Sequence, residues 1–172
     1  LNYITNKEDL KEITHLPIIG IVAKVKEGDK EYNMVDKYPQ SIASEAFRVI
    51  RTNLSYYKSQ IVLMTSSVAG EGKTFCAVNT GTILSKSRKR VIIIDCDLHK
   101  PKQANAFNLT NDVGITSYLA GKSSMKNIIK ETGIENLSII LSGPRTPNAS
   151  ELLLDPLMDK LIEDLKKEYD YI

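Results

Sequence analysis

The chain has 172 residues, 42% of them hydrophobic and 26% charged, with a formal net charge of +2. That length suits one domain able to bury roughly 70% of its unfolded surface, and the composition excludes intrinsic disorder. The near-neutral charge gives no basis for nucleic acid as a partner, and no run approaches the roughly 18 apolar residues of a membrane-spanning helix or reads as a signal peptide.

In chain order, Thr5, Asn6, Lys7 and Glu8 have the pattern of a capping box opening a short helix through Asp9 to Ile13. Pro17 ends it, and residues 18–22 are an apolar strand candidate. His15 reads as a surface or packing residue. Residues 26–40 are polar, contain Gly28 and Pro39 and lack periodicity, so a loop or mobile linker is expected. A helix is predicted from about Ser41 to Tyr57, with Ala43, Phe47, Ile50 and Leu54 as its inward stripe. Glu45, Arg48 and Arg51 follow at i+3 spacing on another face. Periodicity alone reads them as a solvated charged face with one ion pair worth about 0.3–0.5 kcal/mol.

Residues 61–74 carry the most informative pattern. Ile61 to Met64 is a short continuous apolar run, as in a parallel strand covered on both faces. Small residues, Gly70, Gly72, Lys73 and Thr74 follow, and then Phe75, Cys76, Ala77, Val78, Ile83 and Leu84 take up helical spacing. A strand, a glycine loop and a helix start are the context of a phosphate-binding loop. Gly70 and Gly72 can adopt positive φ and let backbone N–H groups approach an anion without a Cβ in the way. The helix dipole favours negative charge at the same place. Ser67, Val68, Ala69, Gly70, Glu71, Gly72, Lys73, Thr74 and Phe75 are therefore candidate nucleotide-binding residues. Lys73 would reach the β- and γ-phosphates of ATP as a point charge, and the Thr74 hydroxyl would ligate Mg²⁺. The strict loop pattern has glycine where this chain has Ser67. The plain alternative is a strand-to-helix turn with a solvated Lys73.

The basic run Lys86, Arg88, Lys89, Arg90 suits a helix C-terminus better than a polyanion site. Residues 91–97 form a second apolar run ending in Asp95 and Asp97, whose side chains would project to the same side if the strand persisted. A parallel sheet presents its ligand groups at the carboxyl edge, where the glycine loop also emerges. The two aspartates are candidates for catalysis and metal binding with Lys73 and Thr74; the plain alternative is an Asp-rich strand end and turn. Cys76 and Cys96 have the spacing of neither a metal pair nor a disulfide framework, which fits a reducing cytoplasmic setting. Residues 114–120 and 124–130 read as short helices parted by Gly121, and residues 137–141 as a third strand. Turn formers fill 142–148, and an amphipathic helix begins at Asp155 and Pro156 with Leu157, Leu161, Ile162 and Leu165 inward. The alternation argues for an α/β domain with a mainly parallel sheet flanked by helices.

Taken together, Ser66 to Thr74, the Asp95–Asp97 strand end, Lys100 and Pro101, the Ser142, Gly143, Pro144 turn, and Pro147 to Leu153 resemble the bacterial tyrosine kinases. That family is related to the MinD/ParA-type P-loop ATPases, and the resemblance covers nearly the whole chain. It implies a P-loop fold and transfer of the ATP γ-phosphoryl group to tyrosine hydroxyls, largely on neighbouring copies. Asp95 and Asp97 would divide metal-shell and base duties, in either order. Glu45, Arg48 and Arg51 match the family's subunit-contact motif for a ring-shaped homo-oligomer, which reverses the solvated-face reading. Arginine can hold a carboxylate across an interface through two parallel hydrogen bonds, which lysine cannot. At His99 the family usually has arginine.

The resemblance also implies two regions, a juxtamembrane-type segment and linker over 1–40 and the kinase domain over 41–172. Leu1 in place of Met suggests a piece of a longer polypeptide. The family's next core strand, with its third acidic residue, and its tyrosine cluster would follow Ile172. Expected partners are other copies of the chain, the membrane through the parent chain or a partner, the exopolysaccharide export machinery and a cognate tyrosine phosphatase. The expected location is the cytoplasmic side of the bacterial inner membrane, with this piece itself soluble. Two other readings compete: a MinD/ParA-type ATPase switch, whose loop carries an extra lysine where this chain has Ala69, and a non-catalytic assembly module set by nucleotide.

Overall fold

The computed structural model describes residues 6–24, 31–147 and 149–172. Helix α1 (Lys7–Ile13) starts from Asn6, whose side chain accepts the Asp9 N–H at 2.9 Å while the Asp9 carboxylate accepts the Asn6 N–H at 3.2 Å. The reciprocal cap is thus one residue later than the Thr5 pattern, because Asn caps as well as Thr and Asp9 stands three residues on. Thr5 lies outside the described residues.

Residues 18–22 form no strand. The Ile19 carbonyl is taken by Asn53 Nδ2 at 2.7 Å, and Ile19 and Val22 pack their side chains on a helix instead of pairing. The loop expected over 26–40 is also corrected where it is described: α2 (Met34–Lys37) forms there, with Met34 and Val35 buried. Asn33 caps it through the Asp36 N–H. The cause is distant in sequence. Asn79, fully buried, accepts the Val35 N–H at 2.9 Å and donates to the Tyr32 carbonyl at 2.8 Å.

Helix α3 (Ile42–Tyr56) is capped by Ser41, and Ala43, Phe47, Ile50 and Leu54 form its buried stripe as expected. It packs on α4 (Lys73–Ser85), the helix after the glycine loop, where the Phe47 and Phe75 rings meet at 5.8 Å between centroids. Lys86 follows α4 and pairs with Asp36 of α2 at 2.8 Å. Next come β1 (Val91–Ile94), α5 (Gln103–Ala106), α6 (Ile115–Leu119), α7 (Met125–Ile128), β2 (Ile129–Glu131) and β3 (Leu137–Ile140). Helices α8 (Ala149–Leu152) and α9 (Pro156–Glu168) close the described chain. Asp155 caps α9 by accepting the Leu157 N–H at 2.8 Å, with Pro156 at the first helical position.

Among the described residues the strands form one sheet in the order β1-β3-β2. β1 and β3 pair in parallel, Val91 opposite Leu137 through Ile94 opposite Ile140. The helix expected over 124–130 stops at Ile128. Ile129 and the two residues after it pair antiparallel with β3 as its outer neighbour, so the sheet is mixed rather than parallel at that edge. Two adjacent β-branched residues beside an open strand edge favour pairing over another helical turn.

Residues 61–64 are extended without becoming a ladder strand. Val62 donates to the Ile172 carbonyl and Ile172 to the Gln60 carbonyl, both at 2.8 Å, while Tyr171 bridges to Val91. Two bonds at one end do not make a ladder, and Leu63 stays 85% exposed.

Strand alternation distributes the core over both faces of the sheet. Val91, Ile93, Leu137 and Ile139 face α4 and Val78, whereas Ile92 and Ile140 meet Ile115, Leu161 and Leu165. Helix α4 lies close on β1 because residue 81 is glycine; a Cβ there would come within 2.8 Å of Ile93 Cδ1. A third cluster joins Val35, Phe47, Ile50, Leu54 and Ile83.

Phe47 is fully buried at the centre of that third cluster. Phe47→Ala is expected to lower the unfolding free energy by about 3–5 kcal/mol through lost burial and a cavity. Val49→Ala, at an exposed position of the same helix, should change it by less than about 0.5 kcal/mol. Urea unfolding midpoints of the two variants provide the check.

Candidate functional site

The glycine loop runs from the extended segment at 61–64 to the first turn of α4. Gly70 and Gly72 sit at φ 93° and 100°, so both occupy the backbone region that other residues adopt only under strain. Gly72 is the cap residue of α4 and offers no side chain to its first-turn amides. The N–H groups of Gly70, Gly72, Lys73, Thr74 and Phe75 donate to no group among the described residues. They form a concavity of free donors at the positive end of a helix, a geometry suited to an anion. Lys73 Nζ donates to Ser66 Oγ at 2.8 Å, which holds the ammonium against the loop.

At the end of β1 the chain turns, because the Asp97 N–H donates to Asp95 Oδ1 at 3.1 Å. The strand therefore does not persist through Asp97, and the two carboxylates meet unlike surroundings. Asp95 is 4% exposed and its Oδ2 has no hydrogen-bond partner among the described residues. Asp97 is exposed, and its Oδ1 accepts the Lys100 N–H at 3.0 Å. Burial pushes the Asp95 carboxyl up to about 6; the Asp97 charge adds to this, and the hydrogen bond from the Asp97 N–H opposes it.

Lys73, Thr74, Asp95 and Asp97 all line one cleft of about 440 Å³. Thr80 and Gln103 contribute further buried oxygens without partners to the same cleft. An adjoining hollow of about 200 Å³ is bounded by Ala69, Gly70, Gly72, Lys73, Thr74, Phe75 and Asp97. An unpartnered buried carboxylate oxygen near an exposed carboxylate and a threonine hydroxyl is a donor set suited to a hard divalent cation.

Of the sequence-derived candidates, Ser67, Val68 and Glu71 line neither cleft; they stand at the neck of the loop and bond to one another. Glu45, Arg48 and Arg51 lie away from the site on α3. Glu45 pairs with Arg48, Arg48 also donates to the Pro39 carbonyl at 2.6 Å, and Arg51 donates to Ser87 Oγ at 2.8 Å. Sequence reasoning missed Tyr32, Lys100 and Lys102 as walls of the smaller hollow, and Ser66 as the anchor of Lys73. The lysines were findable, since cations three and five residues after Asp97 stay near it. Tyr32 carried no signal, because its carbonyl is held by Asn79, 47 residues further along the chain.

The AAA domain family matches residues 59–172. Tyrosine-protein kinase YwqD of Bacillus subtilis (strain 168) is 38% identical over 138 residues, which cover 78% of this chain and 58% of YwqD. The chain thus spans little more than half the length of that relative. The kinase domain of Escherichia coli tyrosine kinase ETK superposes with a TM-score of 0.90 at 27% identity, covering 96% of this chain and 70% of that one. The septum site-determining protein MinD of Pyrococcus horikoshii OT3, solved as a complex with Mg-ADP, matches with a TM-score of 0.57 at 25% identity over 66% of this chain and 46% of that one. These relatives share an α/β P-loop architecture, and that kinship implies nucleotide binding. No helix of the described residues is long and apolar enough to cross a membrane.

A carboxyl at about 6 in the fold against 3.8 ordinarily destabilises the fold whenever it is ionised. The cost is full above pH 6 and is relieved as pH falls toward 4. Asp95→Asn is therefore expected to raise the ligand-free unfolding free energy at pH 7.5 by about 2 kcal/mol, within the roughly 3 kcal/mol that the shift implies. The gain should shrink by pH 5. Urea unfolding of both proteins at the two pH values decides it, and an unchanged gap would mean the carboxylate is solvated.

Proposed function

We propose, starting from a chain that belongs to the bacterial tyrosine-kinase branch of the AAA domain family, that it is the catalytic core of an ATP-dependent protein-tyrosine kinase. The observation carrying this reading is the convergence of Lys73, Thr74, Asp95 and Asp97 on one cleft at the mouth of the glycine loop. The free amides from Gly70 to Phe75 hold the phosphates, and Lys73 leaves Ser66 to meet the transferring charge. Thr74 and Asp95 would hold Mg²⁺, which would supply positive charge to offset that of the phosphates. The buried, unpartnered Oδ2 supports the metal role for Asp95. Asp97, exposed and carboxylate-bearing at the cleft mouth, takes the proton of the acceptor hydroxyl as its oxygen bonds to the γ-phosphorus and ADP departs. Almost all of the catalysis lies in positioning and charge.

The acceptors are tyrosines on neighbouring copies, and assembly uses α3. Ile42, Val49 and Tyr56 recur at seven-residue spacing on that helix with 82%, 54% and 77% exposure, beside Glu45 and Arg48. Such a seam supports a ring-like homo-oligomer. Residues 1–40 lead from the membrane to the kinase domain at 41–172, with α2 docked on it. The family resemblance supports a parent protein working at the cytoplasmic side of the inner membrane, with the exopolysaccharide export machinery and a cognate tyrosine phosphatase as partners. A MinD-type ATPase switch would release phosphate to water instead, and Ala69 stands where that group carries its extra lysine.

Lys73→Met in the full-length protein is expected to weaken ATP–Mg²⁺ binding at least tenfold by calorimetric titration, and to abolish phosphotyrosine formation from labelled ATP. Equal affinity would remove the phosphate-site assignment; label released only as inorganic phosphate by the parent protein would favour the switch. For assembly, Arg48→Glu with Arg51→Glu places like charges across each contact, at several kcal/mol where desolvated. The double variant should scatter light as a monomer where its parent is larger. A monomeric parent would leave α3 a solvated face.

A further inference from the structure

An anion-binding loop that carries a glutamate is an electrostatic contradiction, because Glu71 brings a negative charge to the place where phosphates would sit. The geometry resolves it. Glu71 Oε2 accepts the N–H of Ser67 at 2.9 Å and that of Val68 at 3.3 Å, at the neck of the loop. Ser66 Oγ donates to the Val68 carbonyl at 2.9 Å and receives the Lys73 ammonium. The side chains of Ser66 and Glu71 thus engage the neck on both its donor and acceptor groups. Beyond them, the amides of Gly70 and of Gly72 through Phe75 keep their donors free.

Neither Glu71 nor the two amides it engages lines the clefts where phosphate would lie. The carboxylate is therefore turned back across the loop rather than into the anion concavity. A loop with two glycines at positive φ has many alternative conformations to lose on binding an anion. A side chain that ties its neck lowers that loss beforehand.

We infer that Glu71 is a positioning residue of the nucleotide site: a brace that consumes the neck amides and pre-shapes the remaining ones for phosphate, without touching the ligand. This rests on the loop being the nucleotide site. It also separates the part of Glu71 that matters, an oxygen acceptor, from the part that does not, its charge. Glutamine offers an amide oxygen at the same reach, whereas alanine offers nothing.

The test measures ATP–Mg²⁺ dissociation constants and steady-state tyrosine phosphorylation with the full-length protein and its Glu71→Ala, Glu71→Gln and Lys73→Met variants. Glu71→Ala should bind about tenfold more weakly, with KM for ATP raised and kcat within about twofold, as expected when preorganisation and not chemistry is lost. Glu71→Gln should bind as tightly as the parent or a few-fold tighter, since it keeps the brace and drops the repulsion. Hydrogen exchange without nucleotide supplies a second readout: the Ser67 and Val68 amides should be slower in the parent and in Glu71→Gln than in Glu71→Ala. Parent-like affinity in Glu71→Ala, tighter binding by it, or a Glu71→Gln variant as weak as Glu71→Ala would each overturn the brace. The Lys73→Met arm separates the two levels. If it binds ATP normally, the nucleotide-site reading falls; if it loses binding while Glu71→Ala does not, the brace alone falls.

Discussion

The structure depends on how closely α4 lies against β1. Gly81 allows the helix to rest on Ile93 with no intervening Cβ, and Val78 seals the contact from the same side. This fixes where the helix begins relative to where the strand ends. The amides at the start of α4 and the carboxylates after Ile94 consequently share one cleft, although Asp95 follows Thr74 by 21 positions. A wider interface would part them, and neither half alone could arrange charge around a phosphate. The parallel pairing of β1 with β3 holds the strand end from the other side, since the Asp95 N–H is itself bonded to the Ile140 carbonyl at 2.8 Å.

Buried polarity in this fold falls into two kinds with opposite meanings. Asn79 is fully buried and satisfied, with three hydrogen bonds to the backbone at Tyr32, Val35 and Phe75. It makes α2 part of the domain and brings Tyr32 to the wall of the smaller hollow. Asp95 Oδ2, Thr80 Oγ1 and Gln103 Oε1 are buried and unsatisfied, and all three residues line the larger cleft. A folded chain carries such groups at a cost, and here that cost is concentrated in one cleft. The raised Asp95 carboxyl is the same fact seen through protonation.

Residues 18–22 show how local sequence and long-range pairing can disagree, because Asn53 and packing on α3 take the place of a ladder. Residues 129–131 show the converse, an apparent helix end drawn into pairing by an open strand edge.

By itself the sequence determined what short-range chemistry controls. The helices at 42–56, 73–85 and 156–168 follow from apolar periodicity and from Ser41, Gly72 and Asp155 as caps, and the buried stripes fall where spacing places them. The glycine loop was readable for a similar reason: backbone anion binding demands glycine, lysine and threonine at fixed offsets within a few residues. Only the tertiary structure decided the unlike fates of Asp95 and Asp97, the docking of α2, the mixed edge of the sheet and the contacts of Glu71 at the loop neck. Each of these turns on which backbone groups find a partner far away in sequence or around a tight turn, and residue identity alone does not encode that choice.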